Sequence, residues 1–199
     1  RWDVTISQVS WSPDSNRLVC CGNSCKIKIF DLKNQKNNFI LDQKDDFVRC
    51  VAWSPDSKML AIGMSASGTV KIINVETLQT KIYQVHNVGG IVNAVAWSSD
   101  SKRVASCSGM GDVTILDIDT GTKTSKTFSE RSLFNVSWSS DSKLIATCGY
   151  EKFAIVWNPS EDSVYHLPSD DWASCVSFSP DSKFLAFGSD KIISVWAMG

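Results

Sequence analysis

Short stretches of alternating apolar and polar residues recur along this chain, and each is followed by a tight-turn sequence. Residues 48–53 (VRCVAW) are an example, and alternation of this kind predicts a β-strand with one buried face. The Pro-Asp-Ser that follows predicts a turn, because proline fixes φ and aspartate can hydrogen-bond the backbone two residues on. A second apolar run at 60–63 then predicts an antiparallel return strand.

The aromatic residue before the turn opens a five-residue unit that occurs five times with little change. The copies are 11–15 (WSPDS), 53–57 (WSPDS), 97–101 (WSSDS), 138–142 (WSSDS) and 178–182 (FSPDS). Their aromatic anchors are 42, 44, 41 and 40 residues apart. A period between about 20 and 50 residues is typical of a solenoid, a propeller or another repeat array.

Each repeat contains two further strand signals after the turn-linked pair. The β-rich runs are 26–30, 70–73, 113–118, 153–157 and 192–196. More polar segments, such as 38–41 and 80–85, lie between the copies and are long enough for a fourth, exposed strand. Four short antiparallel strands in a unit of about 40 residues describe a propeller blade.

With that order established, residues 136–139 (VSWS), 144–147 (LIAT) and 155–158 (IVWN) resemble a WD40 repeat. The resemblance covers nearly the whole chain and depends on five copies in phase. It implies an all-β, WD40-type β-propeller of five four-stranded blades, either as a closed five-blade ring or as part of a larger ring. It also implies a single domain over 1–199, with approximate repeats at 1–32, 38–75, 80–119, 124–158 and 163–198.

The chain departs from the family pattern at the Gly-His dipeptide before the first strand, which is missing. In well-formed repeats that histidine joins an aspartate, a serine and a tryptophan in a buried hydrogen-bonded set. Asp112 and Asp190 match the aspartate position, but His86 lies two residues too early when counted back from Trp97. We therefore expect these blades to rely on apolar packing instead.

The strand order leaves the closure of the ring open. Counted as outer, inner, middle and middle strands, the five units begin with residues 1–5 and end with 192–198. The N-terminal stretch would then supply the outer strand of the last blade and close the ring, whereas part of a larger ring would leave two open blade faces. Because the chain begins at Arg1 without a methionine, we expect it to start inside a longer or processed polypeptide.

Composition excludes several classes of protein. The chain has 199 residues, of which 43% are hydrophobic and 21% charged, which suits one globular domain with a sizeable core. A net charge of −1 gives no bulk attraction to nucleic acid or to an anionic membrane. No signal peptide opens the chain, and no apolar run approaches the roughly 18 residues that span a bilayer. We expect a soluble, cytoplasmic protein, with a nuclear location as the alternative.

Most of the seven cysteines follow the repeat, which argues against a disulfide or metal framework. The strand position ten residues after the anchor holds Cys21, Gly63, Cys107, Cys148 and Gly188. Cys50 and Cys175 both lie three residues before an anchor. Such positions call for a small residue, so we expect free, buried cysteines in a reducing compartment. A zinc site at Cys21 and Cys25 is disfavoured because four ligands are needed, and we predict no metal and no cofactor.

The turn acids do not indicate catalysis, since a catalytic carboxylate pair is singular and these residues repeat. They are Asp14, Asp56, Asp100, Asp141 and Asp181. Two residues on, the chain has Asn16, Lys58, Lys102, Lys143 and Lys183, which predicts a solvated rim of alternating charge. No phosphate-binding glycine loop or nucleophile elbow is present, so we predict no catalytic residues and no enzyme.

The opposite rim is where the repeat stops repeating. Six residues before the anchors stand Thr5, Phe47, Ile91, Ser132 and Trp172, and four residues before them stand Ser7, Arg49, Asn93, Phe134 and Ser174. The resemblance implies that these loops meet around a central channel. Aromatic residues and arginine are enriched in interface hot spots, although some of these aromatics would only pack loops. The predicted partner-binding residues are Phe47, Arg49, Ile91, Asn93, Phe134 and Trp172. An insertion at 87–90 lengthens one of the loops and would add a mobile contact.

The sequence therefore predicts a non-catalytic scaffold that binds proteins or peptides within a multi-protein complex. One alternative is a WD40 subunit of a ribonucleoprotein that contacts RNA, which the net charge does not support. Another is a propeller hydrolase with its site in the channel. No membrane contact is predicted.

Overall fold

The computed structural model describes residues 5–22, 24–34, 38–44 and 46–198, which contain nineteen strands in five antiparallel sheets. The first sheet is β1 (Ile6–Trp11), β2 (Arg17–Gly22), β3 (Lys26–Asp31) and β4 (Phe39–Asp42). The second is β5 (Val48–Trp53), β6 (Met59–Met64), β7 (Thr69–Asn74) and β8 (Thr80–Gln84). The third is β9 (Val92–Trp97), β10 (Arg103–Ser108), β11 (Asp112–Asp117) and β12 (Lys123–Thr127). The fourth is β13 (Leu133–Trp138), β14 (Ile145–Gly149), β15 (Phe153–Asn158) and β16 (Ser163–Pro168). The fifth is β17 (Ala173–Phe178), β18 (Phe184–Ser189) and β19 (Ile192–Ala197).

Strand order within every sheet follows chain order, as in successive propeller blades. This confirms the predicted all-β, WD40-type architecture. The fifth sheet has three described strands, and the outer strand predicted at residues 1–5 falls mainly on residues 1–4, outside the described part of the chain. Within the described residues, no helix is long and apolar enough to cross a membrane.

The repeated turn has one hydrogen-bonding plan in all five sheets. The serine after the anchor donates its hydroxyl to the turn aspartate at 2.5 to 2.6 Å. The same aspartate oxygen accepts the N–H two residues on at 3.0 to 3.1 Å. Hydrogen bonds from the Ser12 hydroxyl and from Asn16 lower the pKa of Asp14 to about 2. The predicted structural role of these acids is confirmed.

The last serine of each turn explains why that residue repeats. All five lie in the left-handed region, with φ between 57° and 61°. In four of them the hydroxyl accepts a backbone N–H from the turn of the preceding sheet, at 2.7 to 3.2 Å. The N–H belongs to the aspartate where the third turn residue is proline, as at Asp14, and to that third residue where it is serine, as at Ser99.

Consecutive sheets are joined by apolar cores and by the indoles of the anchors. The Nε1 of Trp53 donates to the Ser10 carbonyl in the preceding sheet at 3.1 Å. Trp97 and Trp138 repeat this bond with the residue that precedes the neighbouring anchor, at 3.1 and 3.2 Å. These three anchors therefore fill the core between two sheets and also set their relative position.

The two end sheets each have an uncovered face. Trp11, the anchor of the first sheet, is 56% exposed, whereas Trp53 is 5% exposed. On the last sheet, Ile193 and Val195 of β19 are exposed. The closed five-blade ring and the larger ring, which would cover these faces in different ways, both stay predictions.

The uncovered fifth sheet explains why one prediction about the cysteines is wrong. Cys21, Cys50, Cys107 and Cys148 are free and buried as expected, and burial raises the pKa of Cys21 to about 11 and of Cys50 and Cys148 to about 12. The expectation that Cys175 is buried is wrong, because it is exposed. The Sγ of its counterpart, Cys50, lies 3.5 Å from the Val92 carbonyl of the next sheet, and no described sheet covers Cys175 in that way.

Candidate partner-binding rim

Loops at one end of the sheets form a surface that we call the entrance rim. Because neighbouring strands are antiparallel, the start of each first strand and the loop between the second and third strands lie at the same end. The entrance rim comprises residues 24–25, 43–44, 46–47, 65–68, 85–91, 109–111, 128–132, 150–152, 169–172 and 190–191 together with the first residues of the strands that follow them. The repeated turns lie at the opposite end.

A β-bulge near the start of the first strand determines which side chains reach the entrance rim. In every sheet the pairing between the first and second strands skips one residue, and the skipped residues are Ser7, Arg49, Asn93, Phe134 and Ser174. A bulge residue is not held in the ladder and its side chain is re-aimed. The sequence series four residues before the anchors is therefore the series of bulge residues, which explains why it varies while its neighbours repeat.

Phe134 and Trp172 lie together with Tyr150 in what we call the aromatic cluster. Phe134 packs edge-to-face with Tyr150, with ring centroids 4.6 Å apart, and with Trp172, which directly precedes β17, at 5.7 Å. The Tyr150 and Trp172 rings are 6.1 Å apart. The cluster thus spans the junction between two sheets, and its geometry is typical of favourable aromatic pairs.

Sequence reasoning missed Tyr150. It opens the loop between β14 and β15, twelve residues after its anchor, where the corresponding residues are Asn23, Ser65, Gly109 and Asp190. A third series counted forwards from the anchors would have found this aromatic residue, because the loop between the second and third strands also contributes to the entrance rim.

Ile91 and Asn93 lie between the third and fourth sheets. The Asn93 Nδ2 donates to the Ser132 hydroxyl at 2.9 Å and to the Leu133 carbonyl at 2.7 Å. These bonds occupy both amide protons of a half-buried side chain, so Asn93 acts as a link between sheets. Ile91 is exposed beside it.

Phe47 and Arg49 lie at a third place, between the first and second sheets. Together with Ser7 and Gly22 they line a cavity of about 220 Å³. Within the described part of the chain, no ring contact joins Phe47 to the aromatic cluster. The structure therefore brings Phe134 and Trp172 together and distributes the other predicted residues along the rim.

The third sheet contains a buried polar network that the sequence did not predict. The Nδ1 of His86 lies 2.5 Å from the Asp112 carboxylate, and the Ser106 hydroxyl lies 2.9 Å from the His86 Nε2. Ser108 donates to the other Asp112 oxygen. Burial alone would raise the pKa of Asp112, but the hydrogen bonds from His86 and Ser108 more than offset it, so the pKa is lowered.

The expectation that this blade relies on apolar packing, with no histidine for Asp112, is therefore wrong. The insertion at 87–90 lengthens the path from His86 to β9, so a count back from Trp97 does not locate the histidine. The inserted loop lies on the second sheet, where the Gly89 N–H donates to the Ala66 carbonyl and the His86 N–H to the Gly68 carbonyl, each at 3.0 Å. Val88 at its tip is exposed.

No group of three or more histidine, cysteine or acidic side chains that could hold a metal occurs in the described residues. The His86 network also places serine, histidine and aspartate in contact, but its members are buried or hydrogen-bonded inside the blade. Its arrangement supports a structural role rather than a reaction at the rim.

Two family models match the chain. The one described as Eukaryotic translation initiation factor eIF2A matches residues 65–189, which is more than half of the chain. The one described as WD domain, G-beta repeat, matches residues 3–31 and 35–74.

Similar proteins are found among curated WD-repeat proteins. WD repeat-containing protein AAC3 of Dictyostelium discoideum is 25% identical over 197 residues, which are 98% of this chain and 33% of that protein. Human WD repeat and HMG-box DNA-binding protein 1 is 26% identical over 62% of this chain and 11% of its own length. The rat Intraflagellar transport protein 80 homolog is 27% identical over 56% of this chain and 14% of its own length. The chain thus spans a third or less of these relatives. The repeats, the successive blades and these matches show that the chain belongs to the WD40-repeat proteins and, through residues 65–189, to the family described as Eukaryotic translation initiation factor eIF2A.

Proposed function

We propose that this chain is a non-catalytic scaffold that binds a segment of another protein on its entrance rim. The observation that carries this proposal is the aromatic cluster, in which Tyr150 is 50% and Trp172 41% exposed although both rings are fixed by mutual contacts. Fixed, partly exposed aromatic side chains lose little conformational entropy when a partner covers them. The likeness to a WD repeat-containing protein and to a protein named for intraflagellar transport supports an interaction role in a multi-protein complex.

The arrangement of acids supports a non-catalytic role. The five turn aspartates each bond within their own turn at the far end of the sheets. On the entrance rim, Asp46 accepts the N–H groups of Ala66 and Ser67 and thereby holds a loop. Neither pattern pairs two carboxylates across a substrate position, as glycoside hydrolysis requires.

Replacement of Trp172 by alanine tests the proposal. Affinity purification with the wild-type chain and with Trp172→Ala, followed by identification of the bound proteins, should show loss of the specific partners from the variant. Tyr165→Ala is the matched control, because Tyr165 is 57% exposed on β16, away from the entrance rim. The thermal transition of Trp172→Ala should stay close to that of the wild type. Unchanged capture, or loss of folding, would contradict a binding role for Trp172.

A second candidate follows from the eIF2A family match over residues 65–189. We propose as the alternative that the chain acts in a translation-related ribonucleoprotein and contacts RNA. Its test is the salt dependence of RNA binding, because each neutralised phosphate releases counterions and steepens the fall of affinity with salt. A flat salt dependence, or no binding of RNA, would leave the peptide-binding function alone.

A further inference from the structure

We propose that the aromatic cluster, together with the carboxylates beside it, binds a lysine or arginine side chain of the partner. This inference rests on the proposed function and specifies the chemistry of the segment that the entrance rim receives. It combines two independent features of the same place, namely the orientation of three rings and the local excess of acidic residues.

The ring geometry leaves part of the aromatic surface exposed to solvent. Phe134 meets Tyr150 at 69° and Trp172 at 78°, so in each pair the edge of one ring points at the face of the other. Such packing fixes the rings without stacking them, and half of Tyr150 stays exposed, at 50%. A cation within about 6 Å of a ring centroid is attracted by the negative face of the ring, and tryptophan and tyrosine are the strongest partners.

The loops that carry the cluster are acidic although the chain as a whole is nearly neutral. Segments 128–132, 150–152 and 169–172 contain Glu130, Glu151, Asp170 and Asp171 against Arg131 and Lys152. None of these four carboxylates is in an ion pair within the described residues. Their charge is therefore available to a cation that approaches the rings.

Two of the carboxylates belong to residues adjacent in sequence to the aromatic residues, and each accepts a hydrogen bond. The Ser129 hydroxyl donates to Glu151 Oε1 at 2.7 Å, and Glu151 directly follows Tyr150. The backbone N–H of Trp172 donates to Asp171 Oδ1 at 2.8 Å. Elsewhere on the entrance rim, the loops 65–68 and 109–111 contain no charged residue. Asp46 precedes the exposed Phe47, but its carboxylate accepts the Ala66 and Ser67 N–H groups, and Phe47 makes no ring contact within the described residues. Around the aromatic cluster, several rings and several carboxylates lie together, and this combination favours a cationic side chain over an apolar one.

Three small probes test the preference for charge. The Nα-acetyl, N-methylamide derivatives of lysine, arginine and norleucine share a backbone, and norleucine lacks the cation. In ¹⁵N-correlated NMR titrations, the Trp172 indole signal, assigned through its loss in Trp172→Phe, should move at concentrations about fivefold lower with lysine or arginine than with norleucine. Equal responses to all three derivatives, or no response to any, would overturn the inference.

Substitutions test which residues produce the preference for the cationic derivatives. Trp172→Leu and Asp171→Asn should each reduce the preference for the cationic derivatives, followed by the amide signals of residues 150–152, whereas Tyr165→Leu should not. Asp171→Asn alters an exposed loop and keeps the test valid if the leucine variant fails to fold. If Trp172→Ala loses its partners while the three derivatives bind alike, the proposed function stands and this inference fails. If the cationic derivatives bind preferentially but partner capture survives Trp172→Ala, the aromatic cluster binds cations without receiving the partner, and the proposed function fails.

Discussion

The His86 imidazole and the Asp112 carboxylate are 2.5 Å apart, and they join the loop before β9 to the start of β11. His86→Ala should lower the free energy of unfolding by about 2 kcal/mol, because a half-buried carboxylate loses its main partner. Chemical denaturation measures this loss. His166→Ala is the control, since His166 is exposed on β16, and it should change stability by less than about 0.5 kcal/mol. Equal effects of the two substitutions would contradict the role of the network.

The same pair predicts a dependence of stability on pH. The pKa of Asp112 is lowered below 3.8 in the folded chain, so its contribution is complete above the unfolded value and disappears as the pH falls through the folded one. The part of the stability difference between the wild type and Asp112→Asn that comes from the carboxylate should therefore shrink as the pH falls below 3.8. Denaturation midpoints at several pH values measure it, and a difference that stays unchanged down to the lowest pH would contradict the prediction.

The strands and turns could be predicted from the sequence because every repeat contains the same turn residues and the same apolar alternation. The turn shows this, since Ser12 and Asp14 are placed by bonds within a few residues. Sequence reasoning failed where a contact depends on the path of a unique loop. An insertion that no other repeat contains lies between His86 and β9. It changes the spacing between His86 and the anchor, so counting back from Trp97 did not pair His86 with Asp112.

The candidate site was predicted in part for the same reason. Phe134 and Trp172 stood out because their positions vary among the repeats, and the structure places them in contact. Tyr150 lies on a different loop, and its proximity follows from the antiparallel pairing of β13 with β14. The exposure of Cys175 could not be predicted either, because burial at that position depends on the sheet that follows.

The two anchors at the first junction predict unequal costs for the same substitution. Trp53→Ala should lower the free energy of unfolding by about 3 to 5 kcal/mol, because it empties the core between two sheets and removes the bond to the Ser10 carbonyl. Trp11→Ala should cost about 1 kcal/mol or less, since most of this indole is already exposed. Urea denaturation of both variants gives the comparison. Similar losses would mean that another surface covers Trp11 in solution.

Two of the serines with positive φ allow the effect of inter-sheet hydrogen bonding on stability to be separated from the effect of backbone strain. Ser142 accepts the Ser99 N–H at 2.8 Å, and its φ of 57° nearly equals the 59° of Ser15, the serine of the first sheet. Alanine at either position meets the same strain, but only Ser142→Ala loses contacts between sheets, with the Ser99 N–H and with the Ser99 hydroxyl. It should therefore be the less stable variant by about 1 kcal/mol, as measured by denaturation midpoints. No difference would show that these contacts contribute nothing.

Thiol reactivity tests the open face of the fifth sheet. A thiol reagent reacts with an accessible thiolate, so Cys175 should react first in the native chain. Burial shields Cys21, Cys50 and Cys148 and also raises their pKa, which keeps them protonated, and they should react only after unfolding. Stopped-flow absorbance with a chromogenic disulfide should show one fast phase that Cys175→Ser removes.

Cys25, which is half-buried, should react more slowly, and Cys25→Ser should leave the fast phase intact. If Cys175 is as slow as Cys50 in the native chain, a further surface covers β17 in solution.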